Sequence, residues 1–206
     1  MIFPIPASIP PEIAAPMLCA GLTVYFPLIR NHVGPNTRIG IIGIGGLGHF
    51  AIMFAFALGA TITAISHSSS KASDAASMGA TSFIDTGSEN WWAGKERSFD
   101  ILLCTSLAKN WPIEKFISLL DVGGTLVYVG IPEENLPTLA PGVMIGNGSA
   151  LRGSNTGSRK EALEMLKLVE KRGIRSWVEV MEMGMCGEAI GRMERGEARY
   201  RIVLKV

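Results

Sequence analysis

The residues best placed to do chemistry begin with a glycine-rich turn, Gly43-Ile44-Gly45-Gly46-Leu47-Gly48. A short β-branched run, Thr37 to Ile42, precedes it, and an apolar helix-like run, His49 to Leu58, follows it and ends at Gly59. In a strand, turn and helix of this kind, the first glycine permits a tight turn, the second lets the backbone approach a pyrophosphate, and the third lets helix and strand pack closely. The phosphates lie at the helix N-terminus. The turn therefore predicts dinucleotide binding, with a purely structural turn as the alternative.

The end of the next strand, Thr61 to Ser66, indicates which dinucleotide is bound. A protein that binds NAD usually carries an Asp or Glu about 20 residues beyond the glycines, where it accepts hydrogen bonds from the ribose hydroxyls. Here the chain reads Ser66-His67-Ser68-Ser69-Ser70-Lys71, and no Asp or Glu occurs between Glu12 and Asp74. Hydroxyl donors and a cation suit a 2′-phosphate, so NADP is the favoured cofactor. The alternative is a polar surface loop in which one serine caps the next helix.

Composition limits the class of partner. The net charge is +1, from 19 Lys and Arg and 18 Asp and Glu, which gives no reason to expect nucleic acid or an anionic membrane surface. Apolar stretches such as Phe50 to Leu58 fall short of the ~20 residues that cross a bilayer, and the N-terminus lacks the basic region of a signal peptide. Cys19, Cys104 and Cys186 are too widely spaced for a disulfide framework. We therefore expect a soluble cytoplasmic protein.

Strand and helix patterns alternate from Thr37 onward, which predicts an α/β fold with a Rossmann-type, doubly wound parallel sheet. The predicted strands are 37–42, 61–66, 82–85, 100–105, 125–131 and 150–153, and the predicted helices are 49–58, 71–78, 113–120 and 158–172. Ligands of such sheets lie beyond the carboxyl ends of the strands. We expect the residues that follow those ends to share one edge: Gly43 to Gly48, Ser66 to Ser68, Thr105 with Ser106, and Val129 to Ile131.

The last part of the chain predicts two more strands, Trp177 to Met183 and Tyr200 to Val206, with a helix from Gly187 to Arg195 between them. Three methionines alternate near the first of these strands: Met181, Met183 and Met185. We interpret them as one face of a packed strand rather than as a metal site, because no other soft ligands lie nearby in the sequence.

Four segments resemble one known family. They are Ala14 to Tyr25 (AAPMLCAGLTVY), Gly43 to His49 (GIGGLGH), Gly157 to Glu161 (GSRKE) and Arg199 to Arg201 (RYR). The chain is similar, over nearly its whole length, to the cinnamyl-type, zinc-dependent alcohol dehydrogenases of the medium-chain dehydrogenase/reductase superfamily. The resemblance implies reversible, NADP-linked reduction of an aldehyde to a primary alcohol. In that reaction zinc polarises the carbonyl oxygen and the nicotinamide delivers hydride.

The resemblance also implies roles for individual residues. Cys19 occupies the position of the last of three zinc ligands, Thr23 should lie near the nicotinamide, and Arg201 should reach the pyrophosphate. The family commonly has serine at the position of His67. The full set of cofactor-binding residues is Thr23, Gly43, Gly45, Gly46, Leu47, Gly48, Ser66, His67, Ser68, Lys71, Thr105, Val129, Gly130, Ile131, Ser154, Asn155, Thr156 and Arg201.

Members of the family carry a GroES-like catalytic domain ahead of this region, and it holds the other two catalytic zinc ligands. We therefore expect residues 1–30 to be a linker and a remnant of that domain, residues 31–172 to form the NADP-binding Rossmann domain, and residues 173–206 to belong with the catalytic domain. Cys19 alone should not hold zinc, and its alternative interpretation is a small buried hydrophobe. No complete catalytic set is expected in this chain.

The predicted strands of the tail, residues 173–206, would present unpaired backbone and apolar side chains in the absence of that domain. We expect the tail to be disordered, rearranged or paired with another subunit, and the resemblance implies a homodimer through an edge strand near Ala150 to Gly153. Two functions stay open. The chain is either the cofactor-binding portion of an NADP-dependent alcohol dehydrogenase that acts on a small aldehyde or alcohol and is inactive alone, or a non-catalytic module for NADP binding or oligomerisation.

Overall fold

The structure, a computed structural model, describes residues 4–106, 111–131 and 135–206. Six strands form one sheet: β1 (Arg38–Ile42), β2 (Thr61–Ser66), β3 (Ser82–Asp85), β4 (Phe99–Cys104), β5 (Leu120–Tyr128) and β6 (Ala150–Gly153). Their order in space is β3-β2-β1-β4-β5-β6, and every neighbouring pair is parallel. This is the strand order of the Rossmann-type doubly wound fold. Strands β1 to β3 are added toward one side of the sheet and β4 to β6 toward the other, so the order reverses between β1 and β4. The predicted fold class is confirmed.

Helices cover both faces of the sheet: α1 (Pro11–Pro16), α2 (Leu22–Arg30), α3 (Gly48–Leu58), α4 (Ala72–Met78), α5 (Ile113–Ser118), α6 (Pro141–Ile145) and α7 (Arg159–Arg172). Side chains alternate between the two faces along each strand, so Ile41 joins one buried apolar cluster and Ile42 joins the other. The first cluster contains residues of α2, α3 and α7, and the second contains residues of α5 with Trp91 and Trp111. Burial on both faces explains the nearly continuous apolar sequences of β1 and β4.

The N-terminal part of the chain is helical and packs on the core. A π-helical turn, Met17–Gly21, joins α1 to α2, so that Pro11–Arg30 is one helical stretch. Prolines at positions 16 and 27 disfavour a helix locally, but Met17, Val24 and Leu28 are fully or almost fully buried against the core. Among the described residues this stretch alone is long and apolar enough to cross a membrane, and the expectation of no such length was wrong. Half of the stretch is buried inside the fold, as in the core helices of many proteins without membrane spans.

Strand β5 begins earlier than predicted, at Leu120, and ends earlier, at Tyr128. The predicted helix through Leu120 ends at Ser118, because Leu120 pairs with Phe99 of β4. The β4–β5 register shifts between Phe99 and Ile101, which lengthens the strand beyond its β-branched portion. The residues 129–131 therefore follow the strand rather than end it.

The tail forms its own small structure. Strands β7 (Val178–Glu182) and β8 (Arg201–Lys205) pair in parallel with each other, and α8 (Cys186–Glu194) connects them. The expectation of disorder was wrong, because Tyr200 is buried in the main core and β8 lies against α1. The expected apolar exposure is confirmed, since the following side chains are 42–59% exposed: Val180, Met183, Met185, Ile190 and Met193. Pairing with another subunit stays a prediction.

The methionine alternation does not mark one strand face. Strand β7 ends at Glu182, and Met183–Met185 forms a 3-10 turn whose two methionines are exposed.

The N-terminus of α7 provides a stability test. The Ser158 backbone N–H donates to Glu161 Oε2 at 2.8 Å, and the Ser158 hydroxyl donates to the same carboxylate. Replacing Ser158 with alanine should lower the free energy of unfolding by about 1 kcal/mol, measured by urea denaturation. The matched control is Ser73→Ala, an exposed serine of α4 that is not its N-cap, for which we expect a change below about 0.5 kcal/mol. Equal losses in both variants would contradict the capping role.

Candidate functional site

The three glycines at the spaced positions of the motif, Gly43, Gly45 and Gly48, have three different environments. Gly43 has a φ of +86°, which L-residues rarely adopt, and a Cβ there would lie 2.6 Å from the Ser106 Cβ. A Cβ on Gly48 would lie 1.9 Å from the Gly43 carbonyl oxygen, so α3 packs on the turn only with glycine at this position. A Cβ on Gly45 would meet nothing within 4 Å. The tight turn, the open approach and the close packing thus fall on the three positions that a dinucleotide-binding turn requires.

A cavity of about 640 Å³ lies at the carboxyl edge of the sheet, in front of this turn. Predicted site residues that line it are Gly43, Gly45, Gly46, Leu47, Ser66, His67, Lys71, Thr105 and Arg201. The residues expected after β1, β2 and β4 therefore share one edge. Aromatic side chains of Trp91, Trp111 and Phe116 complete one wall, and they were not predicted as site residues. Their spacing in the sequence carries no signal for such a role, because their meeting depends on the packing of α5.

Other predicted site residues lie outside the lining of this cavity: Thr23, Gly48, Ser68, Val129, Gly130, Ile131, Ser154, Asn155 and Thr156. The backbone N–H groups of Val129 and Ser154 donate to the carbonyls of Cys104 and Tyr128, at 3.0 Å and 2.8 Å. Those two N–H groups are therefore engaged in hydrogen bonds with the sheet. Val129 is almost fully buried, whereas Ile131 is 96% exposed.

Thr105 fixes the turn to the neighbouring strand. Its hydroxyl lies 3.0 Å from the Ile42 carbonyl oxygen and 2.9 Å from that of Gly43, and its N–H donates to Ile42 at 2.9 Å. A Cβ on Gly130 would come within 3.1 Å of the Thr105 carbonyl oxygen, so the segment after β5 also lies against this residue. Thr105 thus holds the β1 and β4 ends together at the reversal point of the sheet, where ligands of this fold bind.

The proposed phosphate-reading segment follows β2 directly. Ser66 is buried, His67 is exposed, and the Ser68 and Ser70 hydroxyls lie 2.9 Å apart. The Lys71 ammonium reaches the turn and donates to the Ile44 carbonyl at 2.8 Å. Burial and the nearby charge of Arg199 hold the pKa of Lys71 below its usual value. The alternative of a serine cap is not observed, because the N-cap of α4 is Lys71 and makes no side-chain cap bond.

Arg201 closes the other side of the turn. Its Nε donates to the Gly46 carbonyl at 2.9 Å, and burial lowers the pKa of its guanidinium from the ordinary value. His49 is fully buried one residue into α3, and its ring stacks on Tyr200 with 5.4 Å between ring centroids. Burial lowers the pKa of His49 to about 4, so its imidazole is neutral at pH 7. The positive charge near the glycines therefore comes from Lys71 and Arg201.

Two residues near the site were not predicted. The Tyr200 hydroxyl donates to Asp74 Oδ2 at 2.5 Å, and the Tyr200 ring lies under the Lys71 ammonium, 5.3 Å from the nitrogen. Burial, followed by the bond to Asp74, raises the pKa of Tyr200 to about 12, so it stays a neutral donor. The sequence contained one indication that Asp74 lies near the site: it is the first acidic residue after the glycine turn.

The residues in hand do not fit a zinc site. Cys19 is exposed within the π-helical turn, so its interpretation as a buried hydrophobe was wrong. Over residues 4–106, 111–131 and 135–206, no three His, Cys, Asp or Glu side chains are grouped so that they could hold a metal ion. One cysteine does not make a catalytic zinc site, which uses three protein ligands.

The sheet order, the three glycine environments and the cavity at the reversal point define the class: a Rossmann-type domain with the turn of dinucleotide-binding proteins. A family model described as zinc-binding dehydrogenase matches residues 46–171. The chain belongs to this family, within the cinnamyl-alcohol-dehydrogenase-like group of the medium-chain dehydrogenase/reductase superfamily.

Individual relatives of the chain are alcohol dehydrogenases of the same family. The chain is 40% identical to NADP-dependent alcohol dehydrogenase 6 of Saccharomyces cerevisiae over 98% of its length and 57% of the relative's. A cinnamyl alcohol dehydrogenase from Sorghum bicolor superposes with a TM-score of 0.91 at 34% identity, over 97% of this chain and 57% of that one. The enzyme from Helicobacter pylori, solved with NADP(H), superposes at 0.85 with 31% identity, over 97% of this chain and 56% of that one. The chain thus spans somewhat more than half the length of these relatives.

Proposed function

We propose that this chain binds NADP(H) at the glycine turn and is the cofactor-binding portion of an NADP-dependent alcohol dehydrogenase. One observation carries the proposal: glycines of the turn, residues of the Ser66–Lys71 segment and Arg201 line one cavity at the reversal point of the sheet. The lining residues are Gly43, Gly45, Gly46, Ser66, His67, Lys71 and Arg201. The open space at Gly45 would receive the pyrophosphate, and Arg201 would add a charge to it. Ser66, His67 and Lys71 would receive the 2′-phosphate.

When bound, NADPH would supply hydride to an aldehyde substrate. What this chain contributes is the placement of the cofactor, because its described residues offer no metal-binding group and no step is derived through zinc. In this proposal, residues 31–172 form the cofactor domain, and residues 1–30 and 173–206 associate with a catalytic domain. The apolar side chains exposed on β7 and α8 support that part of the proposal. We also propose a cytoplasmic homodimer that pairs through β6.

A non-catalytic NADP-binding or oligomerisation module is the second candidate. It is favoured by the lone, exposed Cys19, which has no companion ligands among the described residues. Both candidates share the cofactor site, and neither predicts turnover by this chain alone. They differ in whether the chain works together with a catalytic domain.

The proposal is tested by titrating the 206-residue chain with NADPH and with NADH and following the nicotinamide fluorescence. We expect NADPH to bind at least roughly tenfold more tightly than NADH, because charge-assisted bonds to the 2′-phosphate are lost with NADH. Failure of NADPH to bind at about 1 mM would contradict both candidates. Oxidation of NADPH by an aromatic aldehyde, with and without added zinc, then tests the inactivity that both candidates expect of the chain alone. Turnover by this chain alone would contradict its inactivity.

A further inference from the structure

Asp74 is an acid that lies close in sequence to the segment that would receive the 2′-phosphate. It lies in the first turn of α4, three residues after Lys71, and its side chain is 23% exposed. Tyr200 joins the three charges: its hydroxyl donates to Asp74, and its ring centroid lies 5.3 Å from the Lys71 ammonium and 5.9 Å from the Arg199 guanidinium carbon. Burial and the charge of Arg199 lower the pKa of Lys71, and the Asp74 carboxylate partly offsets them. An unpaired carboxylate there would repel a phosphate dianion.

The carboxylate is covered by the tail of the chain. Arg199 Nη1 and the Tyr200 hydroxyl both donate to Asp74 Oδ2, across a sequence separation of more than 120 residues. The backbone of Arg199 is itself held, because its N–H donates to Glu179 Oε1 at 2.7 Å. Tyr200 is held by its stack on His49. The positions of Arg199 and Tyr200 are thus fixed by β7 and α3, independently of Asp74.

We propose that Arg199 is a specificity-determining residue for NADP over NAD, because it neutralises Asp74 beside the 2′-phosphate site. Lys71, Asp74 and Arg199 together carry a net charge of +1, and without Arg199 the remaining two would be neutral. The Tyr200 hydroxyl holds the carboxylate toward the tail. The inference rests on the proposed binding of NADP(H) and adds to it a residue from the far end of the chain.

A purely structural role for Arg199 makes a different prediction. If Arg199 only docked the tail onto α4, its loss would loosen Arg201 and the glycine turn, and both cofactors would bind less tightly. If it neutralises Asp74, only the cofactor that carries the 2′-phosphate is affected. The ratio of the two affinities therefore separates the roles.

The experiment compares Arg199→Gln with the unchanged chain in NADPH and NADH titrations. We expect NADPH to bind roughly five- to tenfold more weakly, because the Asp74 carboxylate, no longer paired with Arg199, then repels the phosphate dianion across partly solvated space. We expect the affinity for NADH to stay within about twofold, since NADH lacks the dianion. Adding Asp74→Asn to Arg199→Gln should restore NADPH binding to within about twofold of the unchanged chain, since it removes the charge that Arg199 had masked. The matched control is Arg195→Gln, an exposed arginine that pairs with Glu197, and neither affinity should change.

The single variant Asp74→Asn keeps the proposal testable if Arg199→Gln folds poorly. It should bind NADPH as tightly as the unchanged chain or up to about fivefold more tightly, because a repelling charge is removed. Equal losses of NADPH and NADH in Arg199→Gln, no rescue in the double variant, or weaker NADPH binding by Asp74→Asn would each overturn the proposal. These outcomes leave the proposed function intact, whereas an unchanged chain that binds neither cofactor would overturn that function itself.

Discussion

Replacing Gly48 with alanine should lower the free energy of unfolding by about 3 kcal/mol or more, because the new methyl group has no space. It would lie 1.9 Å from the Gly43 carbonyl oxygen, an atom of the backbone that cannot rotate away. Relief requires α3 to move off the turn, which disrupts the packing of Phe50 and Phe54, both fully buried. Urea denaturation measures the loss, and NADPH titration should show no binding under conditions in which the variant is largely unfolded.

Gly45→Ala is the matched control and separates folding from binding. A Cβ at Gly45 meets nothing within 4 Å, and Gly45 is absent from the positions with positive φ. We therefore expect the free energy of unfolding to change by less than about 1 kcal/mol. NADPH should nevertheless bind more than about tenfold less tightly, because the methyl group occupies the space proposed for the pyrophosphate. Unchanged NADPH binding by Gly45→Ala would mean that the pyrophosphate does not approach the turn at this glycine.

The parts of the fold that the sequence predicted well are those governed by local pattern. Short β-branched or continuously apolar runs predicted β1 to β4 within a residue or two at each end. Gly59 and Gly79 end α3 and α4 in the left-handed conformation, as glycines often do. The glycine turn was predictable for the same reason. The roles of Gly43, Gly45 and Gly48 depend on the spacing between them, which can be read directly from the sequence.

The parts that could not be predicted depend on distant partners. Helices α1 and α2 contain prolines and form because tertiary packing of Met17, Val24 and Leu28 outweighs local propensity. Cys19 was interpreted as buried, but it is exposed. Its neighbours Met17 and Ala20 are buried against the core, and their packing determines which face of the helical stretch is exposed to solvent. The contact of Tyr200 with Asp74 joins residues 126 positions apart, so no periodicity reports it.

The Ser66–Lys71 segment was predicted to bind the 2′-phosphate because it contains no Asp or Glu. The structure shows where its lysine, Lys71, lies. Lys71 is half-buried, lines the cavity and points across to the Ile44 carbonyl of the glycine turn. Two interpretations follow from this contact. Lys71 either reads the 2′-phosphate, or it braces the turn by donating to its backbone.

Replacing Lys71 with alanine should weaken NADPH binding roughly 10- to 100-fold, the loss of about 1.5–3 kcal/mol for a hydrogen bond to a charged group. Binding of NADH should stay within about twofold, because it has no 2′-phosphate, and NADPH binding by the variant should depend less on salt. Lys71→Arg keeps the charge and should retain most of the NADPH affinity, and Lys160→Ala, on the exposed face of α7, should change neither affinity. Equal losses of NADPH and NADH in Lys71→Ala would favour the bracing role instead. In the absence of cofactor, the Lys71 ammonium donates to the Ile44 carbonyl at 2.8 Å, and binding of the 2′-phosphate must compete with that hydrogen bond.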